Sequence, residues 1–422
     1  MLRINDIRKD FPILNQEVFG HPLVYLDNAA TMQMPEPVLQ AILHHYRNDN
    51  ANVHRGIHAL SERSTRALEH ARERVRSFIN ARSSDEIVFT SGTTASLNMI
   101  ASAVIPTLRP GSAVVTTMME HHANFVPWQQ ACKRTDHPFF VAPLDGQGDL
   151  DLQAFEDMLT RNDVALVTIA HVSNVLGTVN PVAEIVALAH KRNALAVVDA
   201  AQSIRHEVVD VQAINCDFLA FSGHKMGGPT GIGVLYGKLE LLEKLDPVQF
   251  GGEMVDNVRM ASTTFAPPPL CFEPGTPNYV GAIGLAAAVD YLEALGLKDV
   301  HGREKQLIRY AEDVLNEIPG LHIIGMPAAR AGCISFTVES VHPFDLATMV
   351  DKLGIALRSG NQCAQPLLYE AYDIGNITRM STAFYNTFDE IDMAVSALRR
   401  VIELLRPAGR KCATSYPTVP PA

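Results

Sequence analysis

The stretch "VALVTIAHVSNVLGTVNPVAEIVALAHKRNALAVVDAAQ", residues 164–202, contains two apolar runs separated by a helical pattern. The runs 164–173 and 194–202 are apolar throughout instead of alternating apolar with polar residues, which is typical of strands covered on both faces. The segment between them, "PVAEIVALAHKR", has the length and composition of a crossover helix. The stretch therefore predicts two parallel strands joined by a helix.

The same alternation extends outward from this unit, from about residue 80 to residue 240. The other apolar runs in this region are "EIVFT" (86–90), "SAVVTT" (112–117) and "CDFLAFSGHK" (216–225). Such alternation predicts an α/β protein with a mostly parallel sheet that has helices on both faces. We assign this large domain to residues 21–295, which end in a long helical pattern at 279–295.

The pattern changes after residue 295. Helical segments from about 300, at 344–353 and at 389–405 are interspersed with strand-like runs, among them "LHIIG", "GCISFTV" and residues 355–358. This layout predicts a small α+β domain at 296–405. The Pro-rich segment 406–422 has no periodicity and is predicted to be a disordered tail.

Composition excludes several classes of protein. The chain has 422 residues, 47% hydrophobic and 19% charged, with a net charge of -11 that argues against nucleic acid or an anionic membrane as the main partner. We expect no signal peptide, and the longest uncharged run, 164–183, contains Gly and Pro and is no membrane span. The six cysteines form no C-x-x-C pair and have no zinc spacing. These features predict a cytoplasmic protein without a metal site.

Polar residues that follow the predicted strands indicate where chemistry occurs, because ligands of open parallel sheets collect at the carboxyl ends of the strands. In "TSGTT" (90–94), Thr93 and Thr94 begin a helix and would form an anion site, although a plain capped helix is the alternative. Asp199 ends a buried strand, with Gln202 three residues later. The carboxylate of Asp199 is either a helix cap or the counter-charge of a protonated ring nitrogen.

The stretch "LAFSGHKMGGPTGIGVLY" (219–236) carries the strongest signal. Ser222, His224 and Lys225 close a strand, where a lysine is rare unless it serves Schiff-base chemistry. A lysine in a surface turn is the alternative. Gly231-x-Gly233 does not continue to a third glycine, which disfavours nicotinamide binding.

These strand ends together match what pyridoxal phosphate requires: a phosphate site, a pyridinium partner, a lysine and a flat group that stacks on the ring. In "MEHHANFVPW", His121 is the candidate for stacking and for proton transfer, whereas we expect His122 to be structural. In "NITRMSTAFYNT", Arg379 would bind a substrate carboxylate or form an internal salt bridge. Cys363, in the polar loop of "IALRSGNQCAQPLL" (355–368), lacks the neighbours of a buried thiol and is predicted to be a reachable nucleophile.

The chain resembles the group II cysteine desulfurases of the SufS/CsdA type, in the class V branch of fold-type I pyridoxal phosphate enzymes. The resemblance covers residues 5–405 and rests on these motifs: "YLDNAAT", "NVHRGIH", "GTT", "EHHANFVPW", "HVSNVLGTVNP", "VDAAQ", "FSGHK", "GPTGIGVLYG", "EPGTPN" and "RSGNQCAQP". It implies a large α/β domain with a seven-stranded sheet, a small domain made from both chain ends, and a homodimer. The segment 1–20 is accordingly expected to pack with the small domain.

The resemblance also implies roles for single residues. Lys225 would hold the cofactor covalently and shuttle the Cα proton, and Cys363 would become a persulfide as L-cysteine is converted to L-alanine. Arg358 and His121 would favour the Cys363 thiolate, and Arg358 would also contact the substrate. Asp199 would contact the pyridinium nitrogen, Gln202 the ring hydroxyl, and Asn174 both substrate and cofactor. Arg379 would bind the substrate carboxylate. The phosphate would be bound by Thr93, Thr94, Ser222, His224 and the other subunit's Thr276.

The departures from the family pattern concern turnover rate and partner choice. Ser91 and Ala95 flank "GTT" where relatives often have Arg and Glu, and Asn361 and Gln362 replace the histidines that usually precede the cysteine. The sulfur acceptor would be of the SufE or SufU type, and His342 of "VHPFD" would take part if that acceptor contains zinc. The alternatives are a selenocysteine or C–S lyase, or a class V aminotransferase, in which Cys363 is dispensable. L-Selenocysteine is therefore a second candidate substrate, and a catalytically retired binding subunit is a third possibility.

Overall fold

The computed structural model describes residues 2–406, and its centre is a seven-stranded sheet within that range. Six strands run in one direction, and Gly233–Gly237 is antiparallel to both of its neighbours. This arrangement confirms the predicted mostly parallel seven-stranded sheet. In spatial order the strands are Ile87–Thr90, Gly233–Gly237, Phe218–Ser222, Leu195–Asp199, Val164–Ala170, Ala113–Thr117 and Phe139–Ala142.

Both faces of this sheet are buried, which explains why its strands are apolar throughout. Successive residues such as Leu166 and Val167 belong to two different hydrophobic cores, one on each face. Ala59–Phe78 and Tyr279–Leu295 pack against each other. The helices of this region are Glu36–Asn48, Ala59–Phe78, Thr93–Val104, His122–Thr135, Leu152–Arg161, Val182–His190, Tyr279–Leu295 and the one-turn helices Ser203–His206, Val211–Ile214 and Leu239–Leu242.

A second, antiparallel sheet occupies the C-terminal part of the described chain, as the α+β prediction requires. Its strands, in spatial order, are Leu321–Ile323, Cys333–Val338, Ile377–Ser381 and Arg358–Gly360. The helices beside it are Leu297–Asn316, Pro343–Asp351 and Phe388–Leu405. The single strand predicted at 355–358 is wrong in one respect: it is divided into Ile355–Ala356 and Arg358–Gly360, because the first part pairs with Val24–Tyr25. Two short hairpins complete the strands: Glu17–Val18 with His21–Pro22, and Val255–Val258 with Thr263–Phe265.

The N-terminal segment contacts both parts of the chain. The buried ring of Phe11 packs against Tyr291 and against Phe384 and Tyr385. Arg8 forms an ion pair with Glu390 at 2.8 Å. The domain boundaries remain a prediction.

The predicted tail begins at Arg406, whose guanidinium donates a hydrogen bond to the backbone oxygen of Pro319 at 2.5 Å. The rest of that tail, 407–422, lies outside the described residues. Among helices that are described, none alone is both long and apolar enough to cross a membrane; the pair Tyr279–Leu295 and Leu297–Asn316 meets that criterion only jointly, with a bend of 81° between them.

Candidate active site

A cavity of about 230 Å³ opens at the carboxyl ends of the central strands. Ala170, Asp199 and Ser222, each the last residue of its strand, line it. Nine of the ten residues predicted to bind the cofactor line this cavity: Thr93, Thr94, His121, Asn174, Asp199, Gln202, Ser222, His224 and Lys225. The tenth, Thr276, lines a separate cleft of about 510 Å³ in the same chain, together with Thr90 and Ser91.

One end of the cavity is built as an anion site. The hydroxyl oxygen of Ser222 accepts a hydrogen bond from the Thr93 backbone N–H at 2.8 Å and lies 2.7 Å from the Thr93 hydroxyl. Thr93 and Thr94 begin a helix of twelve residues, whose first N–H groups have no carbonyl partners within the helix. The imidazole Nδ1 of His224 lies 3.3 Å from the Thr31 hydroxyl, and burial lowers its pKa to about 4. This end therefore offers hydroxyl and backbone donors together.

Asp199 and Lys225 define the rest of the cavity. The Oδ1 of Asp199 accepts the Ala201 N–H at 2.8 Å, and burial raises the pKa of Asp199 to about 6, so the carboxylate is mostly ionised at pH 7. The Nζ of Lys225 donates a hydrogen bond to the Ala29 carbonyl, which also accepts from Gln202 Nε2 at 2.9 Å. Burial lowers the pKa of Lys225 to about 7, assisted by two nearby arginines. A large fraction of this amine is neutral near pH 7 and can act as a nucleophile.

His121 is neutral and has a defined tautomer. Its Nδ1 accepts the Ala123 N–H at 3.0 Å at the start of the helix His122–Thr135. Burial, and then the charge of Lys225, lowers the pKa of His121 to about 4. Because Nδ1 accepts a hydrogen bond, the proton of the neutral ring is on Nε2.

Sequence reasoning missed a buried network directly before His121. Glu120 accepts hydrogen bonds from the Thr117 hydroxyl at 2.5 Å, the Ala170 N–H at 3.0 Å and Asn124 Nδ2 at 2.6 Å. Burial raises the pKa of Glu120 to about 8. The network fixes the chain on which His121 lies. Its only sequence signal was a charged residue at the end of an apolar run.

Arg379 forms an internal salt bridge, which was the alternative to its predicted role in binding a substrate carboxylate. Its Nη2 lies 3.2 Å from Asp27 Oδ1, and its Nη1 donates to the Asn174 carbonyl at 2.8 Å. Asp27 also binds Arg358, at 3.3 Å. The buried Nε of Arg379 has no hydrogen-bond partner among the described residues. The guanidinium is thus held in place with its Nε donor unused.

Cys363 is exposed, whereas the other four cysteines in the described part of the chain are buried. Three hydrogen bonds hold its loop beside the cavity. Asn174 Nδ2 donates to the Gln362 carbonyl at 2.8 Å, the His122 N–H donates to the Cys363 carbonyl at 2.7 Å, and the Gln365 N–H donates to His122 Nε2 at 3.1 Å. His122, which we expected to be structural, thus helps to hold this loop in position.

The residues present fit pyridoxal phosphate. The anion site suits the phosphate, ionised Asp199 suits a protonated ring nitrogen, and the amine of Lys225 suits the aldehyde. The apolar surface that a ring needs comes from Ala170, Val172 and Ala201.

Comparison with known proteins agrees with this chemistry. Residues 24–393 match the family model described as aminotransferase class-V. The chain is 47% identical over 403 residues to a probable cysteine desulfurase of Halalkalibacterium halodurans, covering 95% of this chain and 98% of that protein. It is 45% identical to a cysteine desulfurase of Serratia proteamaculans, with 95% and 99% coverage.

Two solved structures are similar over nearly the whole chain. The apo structure of a cysteine desulfurase from Thermococcus onnurineus has a TM-score of 0.90 at 37% identity, covering 96% of this chain and 99% of that one. The cysteine desulfurase CsdA of Escherichia coli, in an S-sulfonic acid form, has a TM-score of 0.88 at 38% identity, with the same coverage.

Proposed function

Because this chain belongs to the aminotransferase class-V family, as one of its cysteine desulfurases, we propose that it converts L-cysteine to L-alanine and keeps the sulfur as a persulfide on Cys363. In this step the Cys363 sulfur bonds to the substrate sulfur, and the bond between that sulfur and Cβ breaks. The electron pair of the broken bond stays on Cβ, which takes up a proton. The thiol of Cys363 supplies the proton that balances the reaction.

One observation carries this proposal: the exposed thiol lies on a loop that is bonded directly to the cavity. Asn174, which binds the Gln362 carbonyl, lines the cavity, and His122, which binds the loop at two points, follows the cavity residue His121. A lyase or aminotransferase that does not need Cys363 would have no chemical reason for an exposed thiol held at this place.

Bound in the cavity, pyridoxal phosphate withdraws electrons from the substrate Cα, which makes the Cα proton acidic and allows the Cβ–S bond to break. Lys225 anchors the cofactor and moves the Cα proton at its Nζ, for which a pKa near 7 is well matched. Asp199 keeps the ring nitrogen protonated, and Gln202 supports the ring hydroxyl. His121 would stack on the ring, with its proton at Nε2 because Nδ1 accepts the Ala123 N–H.

Arg379 orients the substrate. Its free Nε and the charge of the guanidinium suit the carboxylate of L-cysteine, while Asp27 and the Asn174 carbonyl keep the group from rotating. Arg358 shares Asp27 with Arg379 and lies on the strand that leads to the Cys363 loop, where its side chain could also reach the substrate carboxylate.

We also propose that the protein is a homodimer in which Thr276 of each chain completes the other chain's phosphate site. Two observations support this proposal. Thr276 does not line the cavity of its own chain, and the side chains of Met260, Val258 and Phe250 are exposed in and beside the hairpin at 255–265.

We further propose a cytoplasmic location and an acceptor of the SufE or SufU type that passes the sulfur to iron–sulfur clusters or thiocofactors. The exposure of Cys363 supports such a transfer.

A Cys363→Ala variant tests the nucleophile. We expect it to keep the visible absorbance of the bound cofactor and to lose sulfide release from L-cysteine, while the wild-type peptide that contains Cys363 gains the mass of one sulfur atom. Cys412→Ser, at a cysteine outside the described residues, is the matched control and should release sulfide normally. Sulfide release by Cys363→Ala at the wild-type rate would refute the assignment and favour a lyase.

A further inference from the structure

The Cys363 loop has a strained backbone. Gln362 and Cys363 have φ angles of +53° and +55°, in the left-handed region that side chains with a Cβ disfavour. Two such residues in succession persist only where surrounding contacts hold them. Part of that support is local, because the Asn361 side chain accepts the Cys363 N–H at 3.0 Å. The rest comes from Asn174 and His122.

His122 is the residue that connects this loop to the wall of the cavity. It is the first residue of the helix His122–Thr135 and directly follows His121. It binds the loop at two points, at the Cys363 carbonyl through its backbone and at the Gln365 N–H through Nε2. Nε2 accepts a hydrogen bond only in the neutral ring, and burial, which lowers the pKa of His122, favours that form. Only the second bond depends on the side chain.

We propose that His122 is a positioning residue whose imidazole latches the Cys363 loop in the position from which the thiol takes sulfur. The strain at Gln362 and Cys363 opposes the latch, so the loop can leave that position when the persulfide is handed on. The loop groups that Asn174 and His122 bind all belong to the backbone: the Gln362 and Cys363 carbonyls and the Gln365 N–H. The latch is therefore compatible with Asn361 and Gln362 in place of the family's histidines.

Removing the imidazole acceptor removes one neutral hydrogen bond, which corresponds to a fall of roughly 2- to 12-fold in the ratio of docked to released loop. The effect depends on the substrate. L-Cysteine needs the docked thiol to accept its sulfur. L-Cysteine sulfinate does not, because its sulfur leaves as sulfur dioxide while the bonding electron pair stays on Cβ and is protonated. The ratio of the two activities therefore reports on the loop alone.

The experiment compares three variants of the holoenzyme. His122→Phe keeps a ring but has no acceptor, His122→Gln offers an amide oxygen as acceptor, and His44→Ala changes an exposed histidine on the helix Glu36–Asn48. We measure kcat and KM with both substrates, and hydrogen exchange in the peptide that spans residues 358–372. We expect His122→Phe to lower kcat for L-cysteine at unchanged KM, by up to roughly 12-fold if the released loop then predominates. Its sulfinate turnover should be unchanged and its loop exchange faster.

His122→Gln should recover most of the L-cysteine activity, and His44→Ala should behave as wild type. Equal losses with both substrates would overturn the latch, because His122 would then act through the cofactor cavity. Unchanged kcat and unchanged exchange in His122→Phe would also overturn it. If His122→Phe does not fold, His122→Leu, which likewise lacks an acceptor, decides by the same criteria.

This inference rests on the proposed function, and the two fail separately. If Cys363→Ala releases sulfide normally, the assignment of Cys363 as the nucleophile is wrong, whatever the His122 variants show. If Cys363→Ala is inactive but His122→Phe matches wild type, only the latch is wrong.

Discussion

Gly233 lies on the strand beside the anion site, and replacing it by alanine should weaken cofactor binding. Gly233 pairs with Thr90 on one side and with Ser222 on the other. A Cβ at this position would lie 2.4 Å from Gly92 Cα and 2.7 Å from the Phe221 carbonyl oxygen. Both are backbone atoms, so no side-chain rotation relieves the clash. The backbone around Gly92, which leads into the helix of the anion site, must move.

The geometry sets the size of the effect. Carbon atoms in contact are about 3.5–4.0 Å apart, so the Gly233→Ala variant must displace Gly92 by roughly 1 Å. Overpacking of this kind costs about 1–3 kcal/mol. If the displaced segment is the one that holds the phosphate, the same free energy is lost from cofactor binding. This loss corresponds to an increase of about 5- to 150-fold in Kd for pyridoxal phosphate.

The assay is a titration of apoprotein with pyridoxal phosphate, followed by cofactor absorbance, together with thermal unfolding of each apoprotein. Gly237→Ala is a matched control in the same strand. Its Cβ would meet the side chains of Leu242 and Phe218 at 2.8 and 2.9 Å, away from the anion site. We expect both variants to have a lower Tm and only Gly233→Ala to have a higher Kd. Wild-type affinity in Gly233→Ala, or an equal rise in Kd in both variants, would show that the position of Gly92 does not control cofactor binding.

Two further predictions follow from buried charges. Arg72 binds the buried carboxylate of Glu273, 4% exposed, at 2.6 and 3.0 Å, and Arg72→Met removes this partner. We expect Arg72→Met to lower the free energy of unfolding in urea by about 3–5 kcal/mol. The control Arg66→Met, at an exposed ion pair, should lower it by under about 1 kcal/mol. A loss for Arg72→Met no larger than for the control would contradict this prediction. The rate at which apoprotein captures pyridoxal phosphate should rise with pH and level off above about pH 7, because only the neutral amine of Lys225 reacts and burial lowers its pKa to about 7. A rate still rising at pH 9 would instead indicate an ordinary lysine.

The large sheet and most of the cofactor cavity could be predicted from the amino-acid sequence alone. Strands buried on both faces must be apolar throughout, so their runs are visible without any alignment. The carboxyl ends of parallel strands converge, so the residues just after Ala170, Asp199 and Ser222 had to lie near one another. The resemblance then assigned roles to these residues, including Lys225 and Cys363. The sheet and the convergence of its strand ends, unlike these roles, follow from local pattern and the direction of the strands alone.

The groups that hold the reactive residues in place could be identified only from the folded structure. Asp27 and Arg379 are 352 positions apart, and Asn174 and the Gln362 carbonyl are 188 apart. His122 and the Gln365 N–H that it binds are 243 positions apart, and Gly233 likewise approaches Gly92 from a distant part of the sequence. Many of these partners are backbone carbonyls and N–H groups, which every residue has, so no residue type announces them. They form because packing of the two sheets brings separate segments within hydrogen-bond range, and that distance is a property of the folded chain.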